Sequence, residues 1–396
     1  MIEIPEYDAC VVEVPCIQGI CDTRFTAVRE ALAQNFRRHG EVGAAVAVTI
    51  GGRFVVDLWA GWADEARTRP WQRDTLVNVF SVGKAMATLA ILILVERGVL
   101  DLDTPVAHYW PEFAAQGKRA VTVRMLLCHR AGVPAIRRAL PDDAMYNWEV
   151  MTAALAAEMP WWEPGQTHGY HVNTFGFLTG ELVRRASTEG FGTFFEREIS
   201  GPLGADFHFG IGSEHDARIA DYFFGDLSTS EPAPNDTSDE GHRVLLQHVY
   251  FNPPGLSGLG TVNERAWRGA VMPSTNGHAN ARAVARIYSA LACDGTVDSV
   301  RLLHPETIHN AIAEASGGTD FVLHRPSRFG LGFQLTQPET PLGPNPRSFG
   351  HFGAGGALGF ADPDAQLAFG YTMNRGGPRW RNPRVRALID ALYASL

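Results

Sequence analysis

The sequence predicts an α/β (α+β) fold, an antiparallel sheet flanked by helices with a mostly helical region inserted into it. Three observations carry this. Val/Ile/Phe-rich runs punctuated by glycine occur near both ends of the chain, from Ala44 to Trp59 and again from Arg328 to Arg375. The stretch from about 105 to 250 reads as helices and loops. An almost wholly apolar helical run, Ala85 to Val95, lies between the first strands and that middle region. The expected division is an N-terminal arm (1–24), a sheet region built from 25–105 and 255–396, and an inserted helical region (106–254), with a cleft where the two regions meet.

In chain order, Phe25 to His39 has the pattern of an amphipathic helix. Ala44–Ile50 and Arg53–Trp59 flank Gly51-Gly52 and read as a hairpin with a two-residue glycine turn. The helix that begins near Ser81 is stopped by Gly98. A short helix is expected within Val121–Pro134, and further helices over Trp148–Glu158 and Thr174–Arg185. Residues 205–245, polar and rich in Asp, Ser, Thr and Pro, read as a surface excursion. A helix over Ala279–Cys293, strands in "RFGLGFQL", "SFGHFGAGGALGFADP" and "LAFGYTMNR", and a closing C-terminal helix complete the pattern.

With 396 residues, 45% of them hydrophobic, the chain can bury a large core. The net charge of −9, without a Lys/Arg block or a basic aromatic patch, argues against nucleic acid as a partner. The longest apolar stretch is too short to span a bilayer, and the acidic start lacks the basic and apolar regions of a secretory signal. The expectation is a soluble, cytoplasmic protein without a membrane partner; homo-oligomerisation stays open. The five cysteines, Cys10, Cys16, Cys21, Cys128 and Cys293, are odd in number and scattered, which argues against a disulfide framework. The first three are close together but contain no C-x-x-C pair, so free thiols are expected rather than zinc ligands.

The chemistry concentrates in "FSVGK". Ser81 and Lys84 are three residues apart and share one face of a helix. A serine hydroxyl needs a neighbour to take its proton. A lysine desolvated by burial can do so, because burial lowers its proton affinity. The head of the helix, with free N–H groups, favours developing negative charge. The alternative is a capping serine beside a lysine that reaches solvent.

The wider sequence resembles the serine β-lactamase and penicillin-binding-protein superfamily. "FSVGKAMATLAILILVERGVLDLDTPVAHYWPEF" is similar to its active-site region, and "VTVRMLLCHRAGVP" to its T-x-x-x-L-L-x-H-x-x-G segment. "PWWEPGQTHGYHVNTFGFLTGELVRR", "NGHANARAVARIYSALACDG", "FGLGF" and "GHFGAGGALGFADP" resemble the class C β-lactamase-like esterases, the family VIII carboxylesterases. The resemblance runs from about residue 25 to the end and implies a β-lactamase/transpeptidase-like fold.

It also implies roles. Tyr170 takes the place of the family's active-site tyrosine, as general base or proton shuttle beside Lys84. Which of the two deprotonates Ser81 stays open. The family's asparagine two residues after the tyrosine is Val172 here, and Asn173 comes one residue late. Asn173 is expected to cap the following helix, with substrate contact as the alternative. His351-Phe352-Gly353 stands where β-lactamases have K-T-G, and the N–H groups of Ser81 and Ala354 would form the oxyanion hole. A neutral His351 in place of lysine weakens carboxylate recognition. With Phe352, Trp161 and Trp162 nearby, this favours neutral esters over β-lactams, although the two tryptophans could equally belong to the core. Neither S-D-N nor K-T-G nor the nucleophile elbow G-x-S-x-G occurs. His168 and His171, three apart, form a weak metal pair without a third ligand, and no metal or organic cofactor is expected. The resulting expectation is a serine carboxylesterase acting on small neutral esters. A β-lactamase, a D-aminopeptidase-like or oligoamide hydrolase using the same residues, and a non-catalytic scaffold are the alternatives.

Overall fold

The computed structural model describes residues 14–225, 240–378 and 381–396. Nine antiparallel strands form the main sheet. They are β1 (Gln18–Cys21), β2 (Gly43–Ile50), β3 (Arg53–Gly61), β4 (Ser316–Thr319), β5 (Pro326–Phe329), β6 (Gln334–Leu335), β7 (Phe349–Phe352), β8 (Leu358–Asp362) and β9 (Leu367–Met373), in the spatial order β1-β3-β2-β9-β8-β7-β6-β5-β4. The seam between the two ends of the chain is the β2–β9 pair, which runs in register from Ile50↔Leu367 to Ala44↔Met373. Gly51 and Gly52 make the β2–β3 turn at φ +54° and +83°, the left-handed conformation a tight hairpin needs. Part of the N-terminal arm joins the sheet as its edge strand β1.

Helices cover both faces of the sheet. Close approach is built into one face: at Gly370 of β9 a Cβ would lie 2.2 Å from the carbonyl oxygen of Ala281, and at Gly359 of β8 2.3 Å from the Tyr288 ring. A helix spanning Ala281–Ala292 packs there. On the other side α1 (Thr26–Arg38) packs against the C-terminal helix Pro383–Tyr393.

Helix α2 (Val82–Glu96) lies in the middle of the molecule, and every residue from Val82 to Leu94 is buried. A helix apolar on all sides has no solvent face to present and must be enclosed. Each of its buried Leu and Ile side chains contributes about 1.5–3 kcal/mol relative to exposure. The helix α3 (Thr174–Ser187) packs along it, and β7 touches it from the sheet side. The Ser81 end of α2 is thereby fixed between the sheet and the helical region.

The structure refines the sequence reading in two places. "RFGLGFQL" is a hairpin, β5 and β6 joined by a turn with Gly332 at φ +67°. The expected surface excursion lies outside the described residues between 226 and 239, but its far end is a helix, α4 (Glu240–Phe251). Leu245 and Val249, one turn apart, bury themselves against Ala135 and Val322 in a small second core. Of the N-terminal cysteines, Cys10 lies outside the described residues; Cys16 and Cys21 are free thiols. No helix among the described residues is long and apolar enough to cross a membrane.

Candidate active site

Ser81 stands immediately before α2, partly accessible, and its side chain makes no capping bond to the helix. The capping alternative is therefore not what the structure contains. Phe80, the residue before it, has φ +48°, a conformation that costs a bulky side chain energy. Its ring is wedged edge-on against Tyr222 at 4.8 Å, and this packing holds the strained turn that presents Ser81.

Lys84 is fully buried, and its Nζ lies 3.0 Å from Ser81 Oγ, 2.6 Å from the Val172 carbonyl oxygen and 3.2 Å from that of Ser274. Burial drives its pKa well below the ordinary lysine value. A neutral amine has two N–H groups and one lone pair. In that form, donation to the two carbonyls would leave the lone pair facing the hydroxyl proton of Ser81.

Tyr170 is brought to the same point by the loop before α3. The Lys84 side-chain nitrogen sits 4.9 Å from its ring centroid, and the ring lies on the Ser81 side of Lys84. The ring stacks on Phe329 of β5 at 5.9 Å with an interplanar angle of 8°, and His129 meets it edge-on at 5.0 Å. Burial raises the phenol's pKa above the usual tyrosine range; the Ser81 contact works in the opposite direction. The group is thus a protonated phenol at neutral pH.

His351 on β7 faces the same side chains, its ring 6.0 Å from that of Tyr170. It is fully buried, and desolvation together with Lys84 lowers its pKa to about 3. Its Nδ1 donates to the Phe352 carbonyl, and Nε2 has no hydrogen-bond partner among the described residues. Beyond it, a Cβ at Gly353 would lie 2.3 Å from the carbonyl oxygen of Val79, two residues before Ser81. Only glycine lets β7 approach the head of α2 so closely. Ala354, which follows, starts a short turn whose carbonyl accepts from Tyr222 Oη at 3.3 Å. A cavity of about 330 Å³ flanks this strand, with Phe329, Leu335, Phe352, Gly353, Val385 and Ile389 in its walls.

Several expected residues take other parts. Asn173 does not cap α3. Its amide donates to the Val249 carbonyl at 2.8 Å and to Ser257 Oγ at 2.9 Å, tying down the end of α4, because its side chain is enclosed on that side. Trp161 donates to the Ala135 carbonyl and stacks under the Arg137 guanidinium at 3.8 Å. Trp162 packs on Phe321 and His171, and its tip occupies the space that a side chain on Gly169 would need. His171 spends both ring nitrogens on backbone, the Gly169 carbonyl and the Val133 N–H, while His168 meets Ser327 Oγ. The backbone carbonyls of Val172 and Ser274 carry no side-chain signal, and sequence reading missed them. His129 was visible as the histidine of the L-L-x-H segment, but its place against Tyr170 was not.

A family model described as Beta-lactamase matches residues 28–394. The chain is 35% identical over 364 residues to "Esterase/beta-lactamase LipL" of Mycobacterium tuberculosis, covering 90% of this chain and 82% of that protein. Among solved structures, it resembles a family VIII carboxylesterase with a TM-score of 0.88 at 39% identity, over 96% of this chain and all of the other. It is equally similar in fold, at 38% identity and the same coverage, to a penicillin-binding protein homolog from Caulobacter crescentus, also with a TM-score of 0.88. With a β-lactamase/transpeptidase fold and matches across nearly its whole length, the chain belongs to the beta-lactamase family of serine hydrolases, alongside its esterase relatives.

Proposed function

We propose that this protein is a serine carboxylesterase for small neutral esters, acting through an acyl-enzyme on Ser81. The observation that carries the reading is the buried Lys84 amine, 3.0 Å from Ser81 Oγ with its other contacts on carbonyl oxygens. Lys84 takes the hydroxyl proton as Ser81 Oγ bonds to the ester carbonyl carbon. The N–H groups of Ser81 and Ala354 receive the oxyanion. As the carbon–oxygen bond to the alcohol breaks, Tyr170 gives its proton to the departing oxygen and is reprotonated from Lys84. Water then enters by the same route in reverse: its proton passes to the Tyr170–Lys84 pair, its oxygen bonds to the acyl carbon, and Ser81 recovers its proton. No metal or organic cofactor takes part in these steps.

The neutral His351 supports uncharged substrates; the neighbouring cavity mixes apolar walls with Arg325, Arg328, Arg381 and Arg386 and does not by itself select against charge. A second reading, turnover of β-lactams or other amides by the same residues, is favoured by the double name of the mycobacterial relative and by the penicillin-binding protein homolog. Steady-state hydrolysis of p-nitrophenyl butyrate and of nitrocefin separates the two. The expected result is sustained ester turnover far above nitrocefin turnover, with both lost in Ser81→Ala and with Ser81 labelled by a fluorophosphonate probe. Faster, sustained nitrocefin turnover would overturn the ester assignment, and full activity in Ser81→Ala would overturn the mechanism.

A further inference from the structure

We propose that Asp320 is a positioning residue for Tyr170, its buried carboxylate holding the peptide that carries the phenol in place over Ser81. The inference rests on the esterase reading above and adds a residue to it.

Asp320 follows β4 and is completely buried. Its Oδ1 and Oδ2 accept from the backbone N–H of Tyr170 at 3.0 and 3.1 Å. Oδ1 also accepts from the N–H groups of Val322 and Leu323, each at 2.9 Å, and Oδ2 from Ser327 Oγ at 3.0 Å. Ser327 Oγ is in turn 2.8 Å from His168 Nε2. The backbone adds a second tie, from Phe321 N–H to the His168 carbonyl at 3.0 Å. One carboxylate therefore closes the loop after β4 and fastens it to the segment 168–170.

A buried carboxylate is costly unless its lone pairs are filled, and here donors from four residues fill them. Closing the loop alone would need only the bonds to Val322, Leu323 and Ser327. The bidentate contact to Tyr170 N–H is the part that bears on chemistry. Beside it, the Tyr170 ring contacts Phe329, His129 and His351, and His129 binds the peptides on either side, accepting from Gly169 N–H at 3.0 Å on its carbonyl and from His171 N–H at 3.2 Å on Nδ1. Asp320 is the acceptor for the N–H of Tyr170 itself, between those two ties, and so sets with them how far the hydroxyl reaches toward the departing oxygen. Small misplacements of a proton donor are expensive in rate.

The test compares Asp320→Asn and Ser327→Ala with wild type and with Tyr170→Phe. The readouts are kcat/KM for p-nitrophenyl butyrate and for ethyl butyrate, whose alkoxide must be protonated as it leaves. Ser81 labelling by a fluorophosphonate reports on the nucleophile separately. For Asp320→Asn, kcat/KM for ethyl butyrate is expected to fall about thirtyfold or more and that for p-nitrophenyl butyrate less than about threefold, the leaving-group pattern of Tyr170→Phe. Ser327→Ala, which removes one donor without touching Tyr170, should show the same pattern at a few-fold size, and it carries the test if Asp320→Asn does not fold. Equal losses on both esters in a folded variant, or none, would overturn the proposal. Wild type without ester turnover or Ser81 labelling would instead overturn the esterase reading beneath it.

Discussion

The side-chain nitrogen of Lys84 lies 3.0 Å from Ser81 Oγ inside the protein, and its two other hydrogen-bond partners are the carbonyls of Val172 and Ser274. No carboxylate among the described residues forms an ion pair with it. On the proposed mechanism Lys84 acts through its lone pair rather than through its charge.

Lys84→Met should abolish ester hydrolysis while the protein still folds. The pH dependence of stability provides an independent check. The folded pKa is depressed below the ordinary 10.5, so between the two values the unfolded chain binds more protons than the folded one. Wild-type stability therefore gains an increment as pH rises through that window and loses it as pH falls. Urea unfolding of wild type and Lys84→Met across neutral to alkaline pH should show this increment in wild type alone. Identical pH slopes would mean that the lysine is charged in the folded state.

Tyr170→Phe keeps the stack on Phe329 and removes only the hydroxyl. If Tyr170 delivers the proton to the leaving group, kcat/KM should fall by roughly 10²–10⁴ for an alkyl ester. The loss on a p-nitrophenyl ester, whose leaving group departs as an anion, should be much smaller. Equal losses on both would assign Tyr170 to deprotonation of Ser81 instead.

Desolvation pushes the His351 pKa down to about 3, so the ring is neutral at ordinary working pH. The preference for p-nitrophenyl butyrate over mono-p-nitrophenyl succinate should exceed about tenfold and stay level between about pH 5 and 8. A preference that shrinks toward pH 5, measured as the ratio of kcat/KM values, would show that the imidazole gains a proton in that range.

Gly353→Ala adds a methyl group 2.3 Å from the Val79 carbonyl oxygen. Either β7 or the head of α2 must move, and a shift of this kind costs about 10²-fold in kcat. Thermal unfolding would separate the effect from global loss of structure: the melting transition should move by a few degrees and stay cooperative.

Much of the fold was legible because it follows from local pattern. Gly51-Gly52 announces its turn, and the all-apolar run after Lys84 announces an enclosed helix. The spacing of Ser81 and Lys84 makes them neighbours on any helix. The partners brought in by tertiary structure were not legible. The Val172 and Ser274 carbonyls are backbone atoms that any residue would supply. Asp320 meets the Tyr170 peptide from 150 positions away, a distance no local pattern bridges. Asn173 carried the signature of a helix cap, but the end of α4 competes for the same amide and wins. Phe80 shows why strain escapes sequence reading, since its positive φ exists only because Tyr222 and Phe224 pin the ring.

The β2–β9 seam has a consequence for synthesis. Ser81 and Lys84 leave the ribosome about 270 residues before β7 and Ala354, against which the head of α2 is set. A nascent chain thus holds Ser81 for a long stretch of translation without the strand that packs against the head of α2. On the proposed mechanism, a chain cut before β7 would lack the Ala354 oxyanion donor and would be inert rather than indiscriminately reactive.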